Sequence, residues 1–269
     1  MRKDPAIINI FSNEDKFSLN TAQLLKRKLE HSGFAVPDAF DPQAELIVCV
    51  GGDGSFLKTL QELRFPDIPF VGINTRHLGF FQELQPDKLD EFIFNYKQGK
   101  YTVQHLKTVG AVVKDKDQSY EYIALNEIMI KGDESRPIHL NLSIGDNFIE
   151  RFSGDGVLVA TPAGSTAYNY SLGGSIVDPR LSLLQVTPIA PMNTTAYRCF
   201  TSSIVLPADL SVHVVPEFEI ERGVRIVVDG IDHLHGAVQE ISAKISPFVV
   251  KLIRFENYDF WTKVKSKFL

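Results

Sequence analysis

Only two cysteines occur among the 269 residues, Cys49 and Cys199, and neither stands in a metal-ligand spacing. Cys49 lies in an apolar stretch and Cys199 follows an arginine. Buried, reduced thiols of a cytosolic protein are the expected reading, not a disulfide framework or a zinc module. No apolar run approaches the ~18 residues of a membrane span. Met1-Arg2-Lys3-Asp4-Pro5 leads straight into a short strand, not into a secretory hydrophobic region. A cytoplasmic protein is expected. Charge of one sign is also lacking. The 28 Lys and Arg against 33 Asp and Glu leave a net charge of −5. General nucleic-acid or membrane-surface binding needs a dominant basic field, so both are disfavoured. Lys263, Lys265 and Lys267 gather near the C-terminus and read as the solvated face of a last helix. Internal repeats and low-complexity tracts are missing. His77 and the pair His233 and His235 have no neighbouring Cys or carboxylate at metal-site spacing.

The chain has an alternating first part. Ala6 to Phe11 reads as a strand. Leu19, Ala22, Leu25 and Leu29 recur at helical spacing, with Gly33 as the stop. The strand Leu46–Val50 follows, then a helix after Gly54 and a strand from Pro69 to Ile73. Leu89, Phe92, Ile93 and Tyr96 mark a further helix closed by Gly99. Strands alternating with helices imply a mostly parallel sheet, whose ligands bind outside the carboxyl ends of its strands. From Thr102 to about Ser246 helix signals nearly vanish. Val109–Val113 and Tyr120–Ile130 read as strands, Gly145-Asp146-Asn147 and Asp229-Gly230 as turns. After the strand Phe248–Phe255, the spacing of Phe260, Trp261, Val264 and Phe268 predicts a terminal helix packing back on the first domain. The expected fold is therefore α/β plus all-β. Residues 1–101, completed by 256–269, form a nucleotide-binding α/β domain, and residues 102–255 form a β-rich, sandwich-like domain.

Val50-Gly51-Gly52-Asp53-Gly54-Ser55 sits between a strand and a helix. Glycines there let backbone N–H groups approach phosphate oxygens, with the positive end of the helix dipole behind them. A carboxylate in such a turn would repel phosphate unless it held a metal ion or accepted a proton from an attacking hydroxyl. Asp53 is thus a candidate for phosphoryl transfer, the plainer alternative being an Asx-turn or helix cap. Asn74-Thr75-Arg76-His77-Leu78-Gly79-Phe80-Phe81 follows another strand end and could share the crevice. In the β-rich part, Asn126-Glu127 interrupts an apolar strand, where unpaired burial costs about 1–3 kcal/mol per group. An exposed strand edge or a bound ribose would each explain the pair. Ser153-Gly154-Asp155-Gly156 and Thr161 to Gly174 concentrate hydroxyls, small residues and two tyrosines, which suits a flat ring or a pair of tight turns. Ser165 is not set in a nucleophile elbow.

In order and spacing these blocks closely resemble the NAD kinase family, across roughly residues 45 to 230. Gly-Gly-Asp-Gly alone also occurs in phosphofructokinases and diacylglycerol kinases. The resemblance implies phosphorylation of the adenosine ribose 2′-hydroxyl of NAD to give NADP. The donor would be ATP or polyphosphate, with Mg2+ carried on its phosphates. It also implies a homotetramer whose dinucleotide site includes a neighbouring subunit. By that resemblance Asp53 is the proton acceptor, and Gly54 and Lys58 contact dinucleotide or phosphate. Asn126 and Glu127 contact the substrate. Asp155, the loop Thr166, Ala167, Tyr168, Asn169, Tyr170 and Ser171, and Ala190 complete the pocket. Phe80 lies against the adenine, and Tyr197 makes an inter-subunit contact. Arg76 stands where the family usually has glycine, and Ser153 where a basic residue often precedes Gly-Asp-Gly. A non-catalytic NAD(P) sensor, or a related kinase acting on a sugar or lipid, are the alternatives. Neither nucleic acid nor membrane is expected as a partner.

Overall fold

The computed structural model describes residues 5–133, 136–195, 198–217 and 223–268. The chain divides into two compact units, Met1–His105 with Val249–Leu269, and Leu106–Phe248.

The first unit alternates β1 (Ile8–Ser12), α1 (Lys16–His31), β2 (Leu46–Gly51), α2 (Asp53–Glu62) and β3 (Phe70–Asn74). The short β4 (Gln82–Leu84) and α3 (Leu89–Lys97) follow. β1 pairs with β2, β2 with β3 and β3 with β4, all parallel. Every residue of β2 is buried, as a parallel strand covered on both faces requires. The stripe that α1 buries is Ser18, Thr21, Leu25 and Leu29, whereas Leu19 is 42% exposed. Periodicity picked out the apolar residues, but Ser18 wins the inward position because its hydroxyl meets that of Thr75 at 2.6 Å. Asp15 caps the helix, its carboxylate accepting from the N–H groups of Phe17 and Ser18. Bonds from Ser18, with Arg76 nearby, hold the Asp15 carboxyl down at about 2.

The second unit is built from strands, joined by β5 (Thr102–Lys114), whose first residues belong to the first unit. Then come β6 (Ser119–Ala124), β7 (Glu127–Gly132), β8 (Ile138–Ile144), β9 (Asn147–Gly154) and β10 (Gly156–Ala160). The single turn α4 (Tyr168–Ser171) precedes β11 (Leu183–Ile189), β12 (Ile204–Pro207), β13 (Val212–Pro216), β14 (Val224–Val228) and β15 (Ile231–His235). β16 (Glu240–Arg254) leads back to the first unit, which α5 (Phe260–Phe268) completes. One antiparallel sheet of the second unit runs β12-β11-β10-β7-β14-β15. A second group pairs β9 with β8, β8 with β13, and β13 with the start of β16. Inward residues of both groups, such as Val157, Ile226, Leu140 and Val212, share one hydrophobic core. This is the layered arrangement expected of a sandwich.

The continuous strand expected over Tyr120–Ile130 is broken. β6 ends at Ala124 and pairs with β5, while β7 begins at Glu127 and pairs with β10 and β14. The cause is a carboxylate: the N–H groups of Leu125, Asn126 and Glu127 all donate to Asp229 (2.8, 2.8 and 3.3 Å). Amides committed to a side chain cannot continue a ladder.

Candidate active site

In the first unit the site grows from the junction of β2 and α2. The helix starts at Asp53 itself, one residue before the glycine expected to precede it, with Gly52 as its extended N-cap. Asp53 and Gly54 thus lie in the first turn, whose N–H groups lack partners within the helix. The Asp53 carboxylate is pinned from the other side. Phe80 N–H donates to Oδ2 and Phe81 N–H to Oδ1, both at 3.0 Å. A Cβ at Gly79 would sit 2.5 Å from Asp53 Oδ1, so a side chain there would push the carboxylate aside.

The strand-end segment after β3 is tied to the same corner. Thr75 N–H donates to Gly51 carbonyl (3.2 Å), and Arg76 N–H donates to Asn74 Oδ1 (3.0 Å). The Arg76 guanidinium reaches Asp15 (3.1 Å), and its stem lies beside Gly52. The two loops predicted to share a crevice are therefore joined at their bases.

Around Asp53 stand groups from far along the chain. Lys267 Nζ lies 3.9 Å from Oδ2 and 4.8 Å above the Phe80 ring. Lys263, expected on a solvated face, instead points inward and donates to the carbonyls of Gly79 (3.2 Å), Phe80 (3.4 Å) and Gln82 (2.6 Å). Burial first, and the Arg254 charge second, bring its ammonium down to about 8. Arg254 is 5% exposed, donates to Phe80 carbonyl (3.1 Å) and pairs with Glu83 (3.5 Å). Burial lowers its guanidinium and raises the Glu83 carboxyl. Phe80 is 6% exposed, its ring packed beside Phe260 and Phe268 with Lys267 above it, so α5 covers most of it. Lys58 sits on the open face of α2, 3.8 Å from Glu62.

In the second unit the break before β7 produces the other cluster. In a regular strand one of Asn126 and Glu127 would face away from the core. The kink encloses atoms of both, and among the described residues Asn126 Oδ1 and Glu127 Oε2 are buried without a hydrogen-bond partner. Such atoms cost about 1–3 kcal/mol each unless something supplies a partner. Burial raises the Glu127 carboxyl to about 8, with the Asp229 charge adding to the effect. Asp229 sits at φ 47°, followed by Gly230 at φ 88°, in the hairpin from β14 to β15. The turn pattern announced the bend but not the carboxylate's task. Asp229→Asn tolerates the same backbone but offers one acceptor oxygen where there were two, so it should cost about 1–3 kcal/mol in urea unfolding. An unchanged midpoint would show that the Asp229 carboxylate does not hold the kink.

The loop after β10 docks directly onto this kink. Thr161 N–H donates to Asn126 carbonyl (2.9 Å), and its hydroxyl donates to Leu125 carbonyl (2.6 Å). A Cβ at Gly164 would collide with the Asn126 carbonyl. Ser165 is buried and exchanges bonds with the backbone of Val177, which excludes it as an open nucleophile. Within the predicted binding stretch the side chains diverge. Tyr168 and Tyr170 are exposed, as is Ser171, and Ala167 is half-buried. Thr166 is buried. Asn169 is fully buried, its Oδ1 accepting from the Thr187 hydroxyl (2.6 Å). Asp155 and Ala190 are both exposed and adjoin, because Asp155 N–H donates to Ile189 carbonyl (3.0 Å). Ser153 is wholly buried against Cys199 and Met192. Tyr197 lies outside the described residues.

Sequence reasoning missed Asp229, Gly79, Arg254 and Lys263. For Asp229 the signal was an Asp before Gly at a hairpin, which has many commoner meanings.

Residues 8–101 match the family described as ATP-NAD kinase N-terminal domain, and residues 125–255 the ATP-NAD kinase C-terminal domain. The chain is 38% identical to the NAD kinase of Finegoldia magna over the full length of both. It is 30% identical to NAD kinase 1 of Halalkalibacterium halodurans over 97% of each chain. Among solved structures, yeast NADH kinase complexed with NADH aligns over 99% of this chain and 88% of its own, with a TM-score of 0.86 at 20% identity. That likeness is one of fold. An NAD kinase from Archaeoglobus fulgidus in complex with ATP aligns over 97% of this chain and 99% of its own, with a TM-score of 0.77 at 25% identity.

Proposed function

The chain belongs to the NAD kinase family and phosphorylates NAD to NADP, and we propose that Asp53 is the carboxylate that serves the reacting hydroxyl. The carrying observation is its fixed position at the start of α2, with both oxygens anchored by the N–H groups of Phe80 and Phe81. In the proposed reaction the adenosine 2′-oxygen forms a bond to the γ-phosphorus of ATP. The bond to the β-bridging oxygen breaks, and ADP leaves. Phosphoryl transfer has a loose transition state, so positioning and charge neutralisation supply most of the rate. A carboxylate is a weak base toward a ribose hydroxyl. Asp53 therefore orients the hydroxyl first and takes its proton late.

The first-turn N–H groups at Asp53 and Gly54 are the proposed phosphate donors, with Lys58 of the same helix and Lys267, 3.9 Å from Asp53, as the proposed cations. Phe80 is the proposed adenine contact from this unit. Asn126 and Glu127 bind ribose hydroxyls, which would supply the partners that Asn126 Oδ1 and Glu127 Oε2 lack among the described residues. Asp155, the stretch from Thr166 to Ser171 and Ala190 complete the dinucleotide contacts, with the exposed Tyr168 on that stretch. Asn169 supports that stretch from beneath.

ATP, or polyphosphate in its place, enters as its Mg2+ complex, and the cation offsets charge on the transferring phosphate. Among the described residues no three His, Cys, Asp or Glu side chains gather around one point. We further propose a homotetramer in the cytoplasm, where both buried thiols stay reduced. Burial pushes the Cys49 thiol up to about 12, so it stays protonated. Among the described residues no helix is long and apolar enough to cross a membrane.

NADP formation by the purified protein with NAD, ATP and Mg2+ tests the donor and cation. Excess EDTA should lower the rate by roughly 10²-fold or more, and added Mg2+ should restore it. A rate indifferent to chelation removes the cation from the scheme. Light scattering reads the assembly directly, and a monomer would overturn that proposal.

A further inference from the structure

We propose that Lys263 of α5 is a positioning residue for Asp53, acting through the two peptide groups that join Gly79, Phe80 and Phe81. This rests on the reading of Asp53 as the reacting carboxylate. In a trans peptide the C=O and N–H point in opposite directions. The peptide between Gly79 and Phe80 donates its N–H to Asp53 Oδ2 (3.0 Å) and offers its carbonyl to Lys263 Nζ (3.2 Å). The next peptide donates its N–H to Asp53 Oδ1 (3.0 Å). Its carbonyl accepts from Lys263 (3.4 Å) and Arg254 (3.1 Å). Each peptide is thus held at both ends, with a cation on its oxygen and an anion on its hydrogen.

Charge at the two ends polarises the amide the same way, so each bond strengthens the other. A third bond from Lys263 to Gln82 carbonyl (2.6 Å) fixes the ammonium at the exit of the loop. Arg254 is itself held by Glu83 (3.5 Å) and Gln104 (2.8 Å). Gly79 lets the loop lie against the carboxylate, since a Cβ would crowd Asp53 Oδ1. Without Lys263 the Gly79 and Gln82 carbonyls lose a charged donor. The peptide that carries the Phe80 amide can then rotate while Arg254 still holds the next one, and the carboxylate loses part of its aim. A displacement of about 1 Å at a reacting group can cost roughly 10²-fold in rate.

The test compares Lys263→Met, Asp53→Asn and the double variant with wild type, by steady-state NADP formation. Lys263→Met should lower kcat by about tenfold or more while KM for NAD stays within about twofold. In the Asp53→Asn background the same change should alter the residual kcat by less than about twofold, because its route runs through the carboxylate. Lys263→Arg, which keeps charge and donors, should recover most of the loss. Thermal melts check folding. If Lys263→Met fails to fold, Lys263→Gln, with one uncharged donor amide, takes its place in the same cycle. Losses that multiply in the double variant would show a merely structural role and overturn the proposal. So would a normal kcat in Lys263→Met beside an impaired Asp53→Asn. Wild-type turnover in Asp53→Asn would instead remove the catalytic assignment of Asp53, and the positioning role with it.

Discussion

Asp53→Asn should lower kcat by roughly 10²–10⁴ while the Kd for NAD stays within about threefold. That loss corresponds to about 3–5 kcal/mol of transition-state stabilisation. Two separate consequences of the substitution produce it. The amide cannot take the proton that the 2′-hydroxyl releases as the new phosphate ester forms. It also offers one acceptor to two N–H groups, those of Phe80 and Phe81, so one of them faces an NH2 group instead. Binding survives because most dinucleotide contacts proposed above lie on other residues. Asp53→Glu separates the two consequences, since it keeps the charge and moves it by one methylene. A positional requirement predicts a large loss for Glu as well. NADP formation followed at saturating NAD and ATP, with NAD binding by calorimetry, measures both. Turnover at the wild-type level in Asp53→Asn would exclude this carboxylate from the chemistry.

Glu127→Gln should stabilise the protein above neutral pH and flatten its pH dependence. In the folded chain burial raises this carboxyl to about 8, while in the unfolded chain it ionises near ~4.3. Between those values the folded state keeps a proton that the unfolded state has released. Stability is therefore complete at the acid end of the window and falls as pH rises, by at most about 1.4 kcal/mol per unit. The fall levels off once the folded carboxyl also ionises, above about 8. Glutamine carries no such proton. On this account the variant should lead by about 1 kcal/mol at pH 5 and by up to roughly 5 kcal/mol at pH 8.5. Urea unfolding at several pH values from 5 to 9 gives the comparison. Parallel curves would mean that the Glu127 carboxyl is not raised. NAD affinity should fall in the variant, because Glu127 Oε2 is one of the enclosed atoms awaiting a partner.

Much of the local architecture was legible along the chain. The apolar run before the glycines became β2, Gly99 closes the turn after α3 at φ 66°, and Gly145 turns the hairpin from β8 to β9 at φ 55°. These features follow from short-range rules, since strand alternation, helical spacing and turn residues act over a few positions. Two readings failed where a distant polar group outweighed local pattern. The strand expected through Ile130 breaks because Asp229, 104 residues beyond Leu125, captures its amides. Lys263 turns inward because carbonyls about 180 residues earlier accept its protons.

Asp53 could be singled out from its neighbours alone, because a carboxylate among glycines at a strand-to-helix junction implies phosphate chemistry. The run of motifs from Gly51 to Gly174 was enough to identify the kind of reaction. Nothing local could say what holds that carboxylate. Phe80 and Phe81 reach it from 27 and 28 residues away, and Lys263 grips their loop across 183 residues. Backbone N–H and C=O groups belong to every residue alike, so their pairing leaves no mark on residue type. Chain folding alone selects which two peptides meet the carboxylate and which cations meet their oxygens.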